Sequence, residues 1–158
     1  MSVKSAVITL VLATHLFWAA PAVLAMDSIM VHNANARATF ALASTAAVYL
    51  TVMNHHDSPI VLEGVSVSSD IAAEAQIHTT FMEGDMMKMR QVTDGIGIAP
   101  DAMVELKPGS YHIMLMGLVK PLETGNTFNL TLHFDNQADK TVLVTVGDAA
   151  KAGTHLHH

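Results

Sequence analysis

The stretch Thr127-Phe128-Asn129-Leu130-Thr131-Leu132-His133-Phe134 alternates apolar and polar side chains without a break. Side chains on an extended chain point to opposite faces with period 2, so Phe128, Leu130, Leu132 and Phe134 share one face, and Asn129, Thr131 and His133 share the other. This is a half-buried strand. The polar run Asp135-Asn136-Gln137-Ala138-Asp139 then demands a turn, and Thr141 to Val146 supplies the returning strand.

The same grammar extends toward the N-terminus. Ala46 to Met53 reads as a strand closed by the polar, Pro-containing run Asn54 to Pro59, and Ile60 to Val67 resumes the extended pattern. After a mixed stretch from Ser68 to Glu74, Ala75 to Thr80 and Met86 to Val92 form a hairpin around Glu83-Gly84-Asp85. Met103 to Leu106 is a short strand and Lys107-Pro108-Gly109-Ser110 a turn. Tyr111 to Leu118 then alternates until Gly117 interrupts it. About seven short strands at this spacing predict an all-β, antiparallel two-sheet sandwich forming a single domain.

The sandwich is not expected to start at residue 1. Lys4, the apolar run from Ala6 to about Ala20 and the small-residue ending Val23-Leu24-Ala25 read as a secretory signal over 1–25. His15 interrupts that run and Pro21 follows it at once, which argues against stable membrane insertion once the signal is cleaved. The remaining expectations are an N-terminal segment with a first strand over 26–45, the β-sandwich core over 46–148 and a flexible His-rich tail over 149–158. The formal charge of −6 becomes one unit more negative when Lys4 leaves with the signal, which disfavours nucleic acid as a partner.

The chain contains 11 methionines, 10 histidines and no cysteine, which narrows its possible metal chemistry. Thioether and imidazole donors without thiolate favour Cu(I) over harder ions. They also exclude a blue-copper centre and thiol–disulfide exchange, both of which need Cys. In His112-Ile113-Met114, strand alternation points His112 and Met114 to one side, together with Met116. His78 and the methionines Met82, Met86, Met87 and Met89 lie on the hairpin, where parity groups Met87 with Met89 against Met86. Residue chemistry alone does not choose between Met87 and Met89, or between Met114 and Met116, because Met also fills gaps in cores.

Two longer runs carry a family resemblance. His78-Thr-Thr-Phe-Met-Glu-Gly-Asp-Met-Met-Lys-Met89-Arg, followed by Leu106-Lys-Pro-Gly-Ser-Tyr-His112-Ile-Met114-Leu-Met-Gly-Leu118, closely resembles the PCu(A)C family of periplasmic copper chaperones. That family is marked by H-x10-M, an interval of about twenty-one residues, then H-x-M. Here 22 residues separate Met89 from His112. The resemblance covers roughly residues 46 to 146 and includes Val48 to Asn54, which looks like the family's early strand. It implies a cupredoxin-like sandwich, a periplasmic location and a Cu(I) site of His78, Met89, His112 and Met114. It also implies delivery to an acceptor such as the copper centre of a cytochrome c oxidase subunit, with another copper chaperone as a further partner.

Blander readings apply elsewhere. His55 and His56 in their turn, His133 on a polar strand face, and Met30 with His32 are expected to be solvated or packing side chains. His155, His157 and His158 could capture Cu(II) as a secondary tail site. The competing functions are copper tolerance or storage, cupredoxin-type electron transfer, and a metal-free β-sandwich interaction module. An enzyme is not expected: spacing reveals no Ser-His-Asp set, phosphate loop or paired carboxylates.

Overall fold

The computed structural model describes residues 28–148, so the expected signal over 1–25 and the tail over 149–158 lie outside the described residues. Ten strands occupy those residues: β1 (Ile29–Arg37), β2 (Thr45–Asn54), β3 (Ile60–Val67), β4 (Ala72–Glu83), β5 (Met86–Gln91), β6 (Ile96–Ile98), β7 (Met103–Leu106), β8 (Tyr111–Leu118), β9 (Thr127–Phe134) and β10 (Lys140–Gly147). No helix accompanies them among the described residues.

The all-β class is as expected from the sequence. The ladder, however, runs in one continuous path, β5-β4-β8-β2-β1-β10-β9-β3-β6, with β7 paired to β2, rather than as two separate sheets. The path folds back so that β3 also lies against β4, and buried side chains from both halves form one core. Leu130, Leu132, Val144, Leu62, Ile113, Leu115, Val48 and Val52 are all fully enclosed in it. Burial of this interior apolar surface, at about 25 cal/mol per Å², is the main stabilising term.

One pair departs from the expected antiparallel pattern. β1 runs parallel to β10, with Asn35, Ala36 and Arg37 opposite Thr145, Val146 and Gly147. A bulge between His32 and Asn35, where Asn33 adopts a φ of 55°, lets β1 pair β2 along its length and join β10 only at its end. This bridge makes the two halves a single sheet.

The remaining differences are of extent. The mixed stretch before Ala75 is strand from Ala72, and the hairpin turn tightens to Gly84-Asp85, with Gly84 at a φ of +62°. β6 is an addition to the expected strands, because Ile96-Gly97-Ile98 is too short for its period to show in the sequence.

Candidate metal centre

β4, β5 and β8 carry the candidate donors, and their register decides which side chains meet. His78 stands directly opposite His112, Gln76 opposite Met114, and Thr80 opposite Met89. Directly paired residues lie on the same face of a sheet, as do residues two apart along a strand. His78, Met89, His112 and Met114 therefore share one face across three adjacent strands. The alternate residues Ile77, Ile113 and Leu115 point into the core, so the donors occupy the outer face. His78 lies in mid-strand, one pair before the β4–β8 ladder ends at Thr79 and Tyr111.

The two imidazoles are close, with ring centroids 5.9 Å apart and planes tilted by 49°. With a metal–nitrogen bond of about 2 Å, an ion sits about 3 Å from each ring centre, so this spacing suits one shared ion. His112 is only 5% exposed and, with Asn54, is one of two buried polar side chains among the described residues.

Each ring is oriented by a hydrogen bond. His112 Nδ1 lies 3.1 Å from the Ser110 carbonyl, which can only accept, so Nδ1 carries the proton and Nε2 keeps its lone pair. Gln76 Nε2 donates to Glu74 Oε2 at 2.9 Å, which leaves Gln76 Oε1 to accept from His78 Nε2 at 3.1 Å and frees His78 Nδ1. Burial, followed by the neighbouring His112, lowers the His78 pKa below its ordinary 6.5, which favours the neutral ring. A neutral imidazole is the form that binds metal.

The methionines differ in setting. Met114 is half-buried between Gln76 on β4 and Ala47 on β2, whereas Met89 is more than half exposed on edge strand β5. The β8 ladder stops at Tyr111, so Thr80 to Met89 projects as a two-stranded ribbon. Met82 pairs with Met87 there, which puts both on the face of Met89 and His78. The other ribbon face carries Phe81 under Arg90, at 5.1 Å from the ring centroid, and the Glu83–Lys88 ion pair. Met116 joins the donor face opposite Glu74 and Thr45.

Sequence reasoning did not connect Gln76 and Glu74 with the site. Their even spacing from His78 on one strand was the signal that could have found them. It also found no Ser-His-Asp set, yet His133 lies 2.8 Å from Ser66 Oγ and 2.9 Å from Asp139 Oδ2. That trio is solvent-exposed, and Ser66 sits in mid-strand, without the strand-to-helix elbow that presents a nucleophile and its oxyanion donors. No three His, Asp or Glu side chains converge among the described residues.

A family model described as LpqE-like matches residues 29–146. The chain belongs to the LpqE-like family. This LpqE-like chain shares the PCuAC-type fold, as its structural neighbours establish. It superposes on the copper-bound PCuAC domain from PmoF2 with a TM-score of 0.62 at 26% identity, covering 77% of this chain and 93% of that one. The solution structure of CuI-DR1885 from Deinococcus radiodurans gives 0.61 at 29% identity, covering 84% and 85%. A curated relative from Leifsonia xyli, "Putative lipoprotein Lxx21020", is 35% identical over 88 residues, or 56% of this chain. The LpqE-like chain spans about half the length of that relative, 53%. No helix among the described residues is long and apolar enough to cross a membrane.

Proposed function

We propose that this LpqE-like chain is an exported copper chaperone that holds one Cu(I) between His78, Met89, His112 and Met114 and passes it on by ligand exchange. The observation that carries this reading is the register that aligns the four side chains on one outer face around two rings 5.9 Å apart. Two imidazoles and two thioethers are neutral donors that suit a soft monovalent ion, and thioethers survive where exposed thiols would oxidise. The copper bound in the PmoF2 and DR1885 structures supports the choice of metal.

Burial sets the order of exchange. Met89, on the exposed ribbon, gives way first to an incoming donor, and His112, enclosed and tied to Ser110, gives way last. Copper stays cuprous throughout, and no covalent bond of the protein changes. The reading places the chain in the periplasm, with a cytochrome c oxidase copper centre as acceptor and another copper chaperone as a possible donor. The tail residues His155, His157 and His158 form a secondary Cu(II) site in this proposal. Copper tolerance or storage is the alternative use of the same site.

Competition with a Cu(I) chelator under anaerobic conditions tests the assignment. His78→Ala and His112→Ala should each weaken binding at least about tenfold, equivalent to 1.4 kcal/mol, and His133→Ala should leave it unchanged. An X-ray absorption spectrum of the Cu(I) form lacking sulfur scattering would remove the methionines from the site.

A further inference from the structure

We infer that the LpqE-like chain carries a second Cu(I) site, built from Met30, Met53 and Met103 and independent of the histidine pair. Met30 on β1 stands directly opposite Met53 on β2, and Met53 stands directly opposite Met103 on β7. Three thioether side chains thus form one row across three hydrogen-bonded strands. Met53 alternates with the buried Val52 and Asn54, so the row lies on the outer face.

Packing does not explain the row. Not one methionine between Met30 and Met116 is buried, so the usual role of Met as a core filler is unused in this fold. Met30 is 41% exposed and Met103 58%. The three side chains instead form a continuous row of thioethers in register on the outer sheet surface.

The geometry suits a soft cation. Directly opposed residues have Cβ atoms about 4.5–5.5 Å apart, so Met53 is close to both neighbours, and the outer pair spans about 10 Å. Methionine has three rotatable bonds, which lets the outer two sulfurs lean over the middle one. Three neutral thioethers select Cu(I) among biological metals. His32 lies on the same face, paired with Thr51 and diagonal to Met53, and offers an imidazole as a fourth donor. The neighbouring Glu105 is held by Lys107 at 2.7 Å, so it is not a competing hard ligand. Along β2, the row lies six residues, or about 20 Å, from Ala47, the partner of Met114, and His112, two residues before Met114 on the antiparallel β8, is nearer at about 13 Å.

Anaerobic Cu(I) titration of the full chain, with the methionine methyl groups labelled with carbon-13, tests this site separately from the first. The His78→Ala/His112→Ala double variant should keep one weaker Cu(I) with a sulfur-dominated absorption spectrum, and its ion should shift the methyl signals of Met30, Met53 and Met103. Adding Met30→Leu, Met53→Leu and Met103→Leu, exposed and nearly volume-conserving changes, should abolish that binding while amide spectra report an intact fold. If the double variant binds no Cu(I), or its ion shifts only Met82, Met87, Met89 or Met114, the second site is refuted. Undiminished tight binding in the double variant would refute the histidine site instead.

Discussion

Met114 has Gln76 beside it on β4 and Ala47 on β2, so its side chain is held over the donor face rather than loose in solvent. Replacing it by Leu conserves volume and should change stability by less than about 1.5 kcal/mol. Cu(I) affinity in a chelator competition should nevertheless fall about tenfold or more, because the thioether is gone. His78 yields a pH prediction. Its folded pKa lies below 6.5, so the unfolded chain binds more protons, and apo stability should decline as pH falls below about 6.5. Urea midpoints compared between pH 7.5 and 5 should drop further for the parent than for His78→Gln. Asn54 shows where residue-level reading stopped. The sequence marks it as the first turn residue, but the fold buries it. Its amide donates to Ser58, Ile98 and Ala99 carbonyls at 3.0, 3.1 and 3.1 Å, and its Oδ1 accepts from the His56 amide at 2.9 Å. Those acceptors lie mostly more than forty residues away, beyond the reach of any local pattern. Asn54→Ala should cost about 2–4 kcal/mol in urea unfolding, since buried carbonyls and an amide lose their partner.

At the scale of elements, the ribbon of β4 and β5 separates two roles for methionine. Met82, Met87 and Met89 all share the donor face, but only Met89 pairs with Thr80, next to His78 along that face. Met89→Leu should therefore weaken Cu(I) binding about tenfold, whereas Met82→Leu/Met87→Leu should leave the equilibrium constant within about twofold. Equal losses in both variants would move the sulfur ligand outward along the ribbon. Strand periodicity made β2 and β9 legible almost to the residue, because each alternates buried with more exposed side chains, while β3 and β8 were found despite a bulge after Leu62 and the consecutive buried pair His112-Ile113. It gave no bounds for the first strand expected within 26–45, because Asn33 bulges out of the alternation of β1, and it could not anticipate the β1–β10 parallel pairing, which no hairpin turn announces. Parity within a strand united His112 with Met114. The pairing of His78 with His112 depends on β4–β8 register, and the family resemblance supplied that contact without geometry.

For the molecule as a whole, the donor face sits outside a core that is complete without it. Leu50, Leu62, Ile113, Leu115, Leu130 and Leu132 close the interior, while His78 and the methionines lie across its outer face, with His112 enclosed beneath them. A carrier needs this separation, because metal can leave without opening the fold. It follows that the apo chain should be folded and cooperative, with copper adding stability by linkage alone. Free Cu(I) buffered at about a hundred times the dissociation constant stabilises the native state by about 2.7 kcal/mol. For a domain of this size that raises the melting temperature by roughly 10 °C. Met114→Leu, binding about tenfold more weakly, should keep its apo melting temperature and show about half that increase at the same free Cu(I). A parent chain that melts without a cooperative transition until copper is added would mean that the metal completes the core, contrary to the outer-face placement of its donors.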